Sequence, residues 1–220
     1  MSLVWSMLLS SAGTGRILCL HGSGGSGASL LAKLAPLLAE APAWQFDAID
    51  APSGTGMWWT YPVGQRSYTA SSYEGAEESI KLVEAAIAAG GYCGLLGFSQ
   101  GAMLAAIIAA RSAMADGPPL KLAICLSGAL PKPYEGLLEQ LRTAPDTVRG
   151  AVRTLHCLCR HDGINPPELG EQVATYFAAS QILWHQDGHN VPAAAGLCDV
   201  AAFLEESAQA TRLDAGDESD

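Results

Sequence analysis

Apolar positions along the chain alternate between short unbroken runs and longer stretches with helical spacing. Residues 16–20 (RILCL) form a nearly continuous apolar run that stops at His21-Gly22, the pattern of a buried strand closed by a tight turn. A glycine-rich loop follows at 22–27 (GSGGSG). Residues 28–41 then carry Leu30, Leu31, Leu34, Leu37 and Leu38 at helical spacing, and Pro36 is expected to kink or interrupt that helix. Residues 46–49 predict a second strand. The stretch 50–73 is loop-like, rich in Gly, Pro and Ser, and carries Trp58, Trp59, Tyr61, Tyr68 and Tyr73. Ser71 with Glu74 three residues on predicts a capping box for a helix reaching about Ala89, whose apolar face holds Ile80, Val83 and Ile87.

The second half repeats the alternation. Residues 94–98 (GLLGF) predict a strand that runs into Ser99-Gln100-Gly101 and an Ala/Ile/Leu helix ending near Met114. That helix has almost no polar face, so it is expected to lie buried at the centre of the fold. Further strands are predicted at 120–126, 154–159 and 181–185, with short helices between 127 and 150, a helix at 168–178, and a last helix from Pro192 to about Ser207. Residues 3–9 read as a first strand or an edge segment.

Five of these strands are apolar runs without clean alternation, and helices separate most of them. This predicts an α/β architecture. Its mostly parallel central sheet would have about six or seven strands, covered by helices on both faces, with no large lid domain. Residues 1–208 are expected to form one domain, and 209–220 an acidic, flexible tail. A chain of 220 residues can hide roughly 70% of its unfolded surface. Its 49% apolar and 15% charged composition argues for a well-filled core.

Charge narrows the range of partners. A formal net charge of -10 argues against nucleic acid and against an anionic membrane surface. No run approaches the roughly 18 apolar residues of a membrane span, and no Lys or Arg precedes the apolar start as a signal peptide would require. Six cysteines scattered through apolar runs read as buried free thiols in a reducing compartment, so a cytoplasmic location is expected.

In open parallel sheets, ligands sit at the carboxyl ends of strands. The residues of chemical interest fall there: His21-Gly22, Ser99, Asp162 and His189. Gly97-Phe98-Ser99-Gln100-Gly101 is a G-x-S-x-G nucleophile elbow, in which side chains at 97 and 101 would collide with the neighbouring strand and helix. Serine needs a base to take its proton. His189, in the loop between the last strand and the last helix, has the position for it; His156, His161 and His185 are less well placed. Asp162, at the end of the 154–159 strand, is the expected orienting acid, with Asp187 as its rival on the histidine's own loop. Backbone N–H groups of Gln100 and Ser23 are expected to form the oxyanion hole, with His21 and Gly22 bracing the loop that carries Ser23. The GSGGSG loop fails the dinucleotide fingerprint and lacks the Lys-Ser/Thr pair of a P-loop. No cluster of metal-ligand spacing is evident, so neither metal nor organic cofactor is expected.

The chain resembles the FSH family of serine hydrolases within the α/β-hydrolase superfamily over roughly residues 14–206. The resemblance rests on ILCLHGSGGSG at 17–27, DAPS at 50–53, Trp58-Trp59, YEGAEESI at 73–80, GFSQGA at 97–102, RHD at 160–162 and GHNVP at 188–192. GFSQG and GH-x-VP are shared with the phospholipase/carboxylesterase family. The resemblance implies a Ser99–His189–Asp162 triad acting on a small-molecule carboxylic ester, with acyl thioesters as the alternative substrate, in a monomer or small homo-oligomer. A serine peptidase or a non-catalytic binding module are lesser alternatives. Trp58, Trp59, Tyr61 and Tyr134 are candidates for substrate binding, with core packing an equal reading for the aromatic loop.

Overall fold

The computed structural model describes residues 15–216. The apolar stretch at 3–9 lies outside them. Six parallel strands form one sheet: β1 (Gly15–Leu20), β2 (Trp44–Ile49), β3 (Gly94–Phe98), β4 (Leu122–Leu126), β5 (Arg153–Cys159) and β6 (Ser180–His185). Their spatial order is β2-β1-β3-β4-β5-β6, so the chain builds outward from β1 in one direction and then returns to extend the sheet in the other. The four inner strands are buried on both faces, which is why they read as unbroken apolar runs. The edge strands β2 and β6 are largely half-exposed.

Helices cover both faces. On one side, α1 (Gly27–Lys33), α2 (Ala35–Glu40) and α8 (Ala194–Gly216) share a core with Ile17, Leu96, Ile124 and Leu155. On the other, α3 (Ala76–Gly90), α4 (Gln100–Ala113), α5 (Glu135–Thr143) and α7 (Pro167–Thr175) pack with Leu18, Leu95 and Ala123. Helix α6 (Asp146–Arg149) is a single turn ahead of β5. Strand alternation thus sends successive side chains into two separate cores. Twelve of the fourteen residues of α4 are buried, in keeping with its missing polar face.

One local expectation holds, the interruption of the first helix near Pro36, and two are corrected. The first helical stretch breaks at Leu34, which ends α1 and begins α2. Pro36 falls in the first turn of α2, where no intrahelical N–H is needed. The Ser71–Glu74 capping box does not form. Glu74 is held in a two-way backbone bridge with Thr60, both bonds 2.9 Å, and α3 starts after Gly75 in the left-handed region (φ 85°). A reciprocal box forms instead at α1, where Ser26 accepts the N–H of Ser29 and Ser29 Oγ accepts the N–H of Ser26. The last helix runs past Ser207 to Gly216.

Candidate active site

The end of β3 turns sharply at Ser99, whose φ of 53° and ψ of -114° lie outside ordinary helix or strand geometry. The flanking glycines make this turn possible. A Cβ on Gly97 would lie 2.1 Å from the Gly101 carbonyl oxygen, and a Cβ on Gly101 would lie 2.1 Å from that of Leu20. Both clashes are with backbone, so neither is relieved by rotating a side chain. The turn sets Ser99 at the start of α4, where Gln100 has a backbone N–H with no intrahelical acceptor.

His189 Nε2 lies 2.8 Å from Ser99 Oγ, and His189 Nδ1 lies 2.8 Å from Asp162 Oδ2. The three groups come from the ends of β3, β5 and β6. The Asp162 side chain is 3% exposed and that of His189 is 17%. The other carboxylate oxygen of Asp162 accepts the backbone N–H groups of Ile164 and Asn165 at 2.8 and 2.9 Å, so the carboxylate is fixed from both sides. In this arrangement Ser99 can lose its proton to the imidazole while Asp162 holds the ring orientation and offsets the charge that forms. Asp187 is occupied differently: its Oδ2 accepts the N–H of Ala193 at 2.9 Å and lies 3.3 Å from His185 Nδ1.

The loop after β6 must arch over the tips of β5 and β4 to bring His189 to β3. Ser127, directly after β4, is the post that holds it. Ser127 is 1% exposed, with φ 50°, and its Oγ donates to the Asn190 carbonyl at 3.2 Å. Its own carbonyl accepts Asn165 Nδ2 at 2.8 Å, which ties the Asp162 loop to the same point.

His21 braces the loop opposite. Its Nδ1 is 2.8 Å from the Gly22 carbonyl, and its Nε2 accepts the Ala51 N–H at 3.0 Å. Asp50 Oδ1 accepts the N–H of Gly27 at 2.6 Å, so the DAPS segment and the glycine-rich loop are tied together twice. Gly22 has no room for a side chain, since a Cβ would lie 2.8 Å from the Phe98 ring and 3.3 Å from Ser99 Cβ. Ser23 next to it is exposed.

The aromatic loop is core. Trp58 and Trp59 are each 1% exposed and pack with Ile80, Val83 and Met103, leaving no indole face for a substrate. Trp58 Nε1 donates to the His21 carbonyl at 2.7 Å, and the Trp59 ring stacks on Tyr73 at 4.5 Å. Tyr61 is half-buried against the same core. Tyr134 is also half-buried. Its hydroxyl donates to Glu77 Oε1 at 2.7 Å, and burial raises its pKa well above the usual phenol value.

Sequence reasoning assigned Gln100 only a backbone role and did not single out Asp50, Ser127 or Asn165. The Gln100 side chain is 2% exposed; its Oε1 accepts the Trp58 N–H at 2.9 Å and its Nε2 donates to the Trp59 carbonyl at 2.8 Å. A glutamine opening an otherwise apolar helix was the available signal. Among the described residues, no group of three or more His, Cys, Asp or Glu could hold a metal ion, and no helix is long and apolar enough to cross a membrane.

A parallel sheet with this elbow at its centre defines an α/β-hydrolase. More narrowly, the chain belongs to the family described as serine hydrolase (FSH1), matched over residues 53–199. It is 35% identical over 144 residues to Esterase OVCA2 of Danio rerio, an alignment covering 62% of this chain and 61% of that protein. It is 31% identical over 200 residues to Esterase CG5412 of Drosophila melanogaster, covering 82% and 69%. The match to the zebrafish protein thus spans less than two thirds of that protein's length. Among solved structures, esterase PE8 aligns with a TM-score of 0.65 at 26% identity over 89% of this chain and 93% of that one. Zea mays acyl-protein thioesterase 2 aligns with a TM-score of 0.68 at 21% identity, over 88% and 94%.

Proposed function

We propose that this protein hydrolyses small-molecule carboxylic esters through a covalent acyl-enzyme on Ser99. The observation that most supports this reading is the unbroken chain of two 2.8 Å contacts from Ser99 through His189 to Asp162. His189 takes the Ser99 proton as Oγ attacks the acyl carbon, a step worth roughly a hundred- to ten-thousandfold in rate. The carbonyl oxygen becomes an oxyanion held by the backbone N–H groups of Gln100 and Ser23, where one such donor contributes about 3 kcal/mol. Collapse of the intermediate breaks the bond to the leaving oxygen, which departs as the alcohol with the proton from His189. Water then gives its proton to His189 and its oxygen to the acyl carbon. The acid leaves and Ser99 is restored.

Relatives named as esterases favour the ester over the thioester. The acyl step is common to both, and the fold likeness to a maize acyl-protein thioesterase keeps the thioester as the second reading. We place the activity in a reducing, cytoplasmic setting because all six cysteines are free. Burial pushes the Cys125 thiol up to about 12 and raises that of Cys157 as well, so neither is a second nucleophile.

The test is hydrolysis of matched ester and thioester series across acyl lengths by the wild-type protein and Ser99→Ala. Turnover with an acyl-length optimum that falls at least a thousandfold in Ser99→Ala is expected, with esters above thioesters. Equal turnover by the variant would remove the reading.

A further inference from the structure

Two cavities that share Lys33 open along the loops that flank Ser99, though Ser99 itself lines neither. One, of about 240 Å³, is lined by the glycine-rich loop from His21 to Gly25 together with Ser29, Leu30, Lys33 and Phe98. The other, of about 420 Å³, is lined by Lys33, Asp187, Asn190, Val191 and Ala193. Lys33 is the residue common to both, and it is the sole cation lining either. Its ammonium lies 5.6 Å from the centroid of the Phe98 ring, which also lies 5.3 Å from the His189 ring. A single phenyl ring therefore separates Lys33 from the catalytic imidazole.

We propose that the smaller cavity is a subsite for a carboxylate carried by the substrate, with Lys33 as its counter-ion; this rests on the ester-hydrolase reading above. Three observations carry it. Among the described residues no ion pair involves Lys33, whereas Arg16, Arg111, Lys132, Arg142 and Arg149 each hold a carboxylate. The smaller cavity is lined by no carboxylate, only by loop backbone, two serines, two apolar side chains, His21 and Lys33. Asp187, the one acid of the larger cavity, directs Oδ2 to the Ala193 N–H and to His185. Gly22, which lines this cavity, also packs against Ser99: a Cβ on it would lie 3.3 Å from Ser99 Cβ. Its volume equals about eight waters' share of the liquid, at roughly 30 Å³ each, which admits a short chain ending in a carboxylate.

The carboxylate can belong to the acyl part or to the leaving group, and two substrate pairs separate these. Monoethyl succinate against ethyl isocaproate places the charge on the acyl side. The butyryl ester of glycolic acid against isobutyl butyrate places it on the leaving side. The anionic-to-neutral ratio of kcat/KM in one pair is expected to fall about fivefold in Lys33→Gln and to recover in Lys33→Arg, the upper end for an ion pair with an exposed lysine. Ratios unchanged by Lys33→Gln in both pairs would overturn the proposal. Loss of Ser99-dependent turnover on every ester would instead remove the hydrolase reading. The subsite is then judged by succinate binding to the Ser99→Ala protein, followed through the amide NMR signals of Ser23, Gly24 and Gly25. Saturable shifts weakened about fivefold by Lys33→Gln support it, and shifts absent or insensitive to Lys33 overturn it.

Discussion

The side chain of Gln100 is clamped to the backbone of Trp58, 42 positions earlier, with Oε1 accepting the Trp58 N–H at 2.9 Å. The same amide reaches the Trp59 carbonyl through Nε2. The residue after Ser99 therefore carries the aromatic loop with its side chain while its backbone N–H stays at the start of α4. Ser79 Oγ donates to the Trp58 carbonyl and the Trp58 indole donates to His21, so the loop is tied to α3 and to β1 as well.

Gln100→Ala would leave the Trp58 N–H and the Trp59 carbonyl buried without partners. An unpaired buried group costs about 1–3 kcal/mol, so a loss of roughly 2–4 kcal/mol is expected in urea unfolding. A loss below about 0.5 kcal/mol would mean that water replaces the amide and the clamp carries little.

The two candidate acids separate by geometry and should separate by kinetics. Asp162→Asn disturbs the carboxylate that holds His189 Nδ1 and should lower kcat on the order of a thousand- to ten-thousandfold with the fold intact. Asp187→Asn keeps an oxygen for the Ala193 N–H, and only a few-fold change in kcat is expected. Steady-state kinetics of both variants on one ester decide it; a larger loss at Asp187 would reverse the assignment.

Acid should destabilise the fold through His156. This imidazole is buried in β5 with Nε2 unpartnered, and burial lowers its pKa from 6.5 to about 4. Below pH 6.5 the unfolded chain takes up a proton that the folded one refuses, so stability falls as pH drops from about 6.5 toward 4. At pH 5 the expected loss from this group is about 2 kcal/mol relative to pH 7. His156→Leu should reduce the drop between pH 7 and pH 5 by that amount in urea unfolding. An unchanged drop would assign the acid sensitivity to other groups.

Much of the arrangement was legible because it is local. The elbow needs only a strand, five residues and a helix, and its glycines are demanded by backbone clashes within that segment and with the adjacent β1 end. The positions of Asp162 and His189 followed from their places after strands. What escaped depends on contacts between distant segments. Trp58 and Trp59 sit in a Gly/Pro/Ser-rich stretch that has the composition of a surface rim. Only the docking of that stretch on α3 and Gln100 shows the indoles to be core. The Ser71–Glu74 pattern was overridden in the same way, because the Thr60–Glu74 bridge holds the segment extended ahead of α3. Ser127 bears no motif. Its part comes from standing directly after β4, between the strand that leads to Ser99 and the two loops that reach toward it.

The central claim is that Ser99 is an activated nucleophile, and reaction with a fluorophosphonate followed by peptide mass mapping tests it most directly. The account expects one adduct, on Ser99, absent in Ser99→Ala and greatly slowed in His189→Ala. A folded wild-type protein that takes no label, or an adduct at another residue that survives Ser99→Ala, would contradict it.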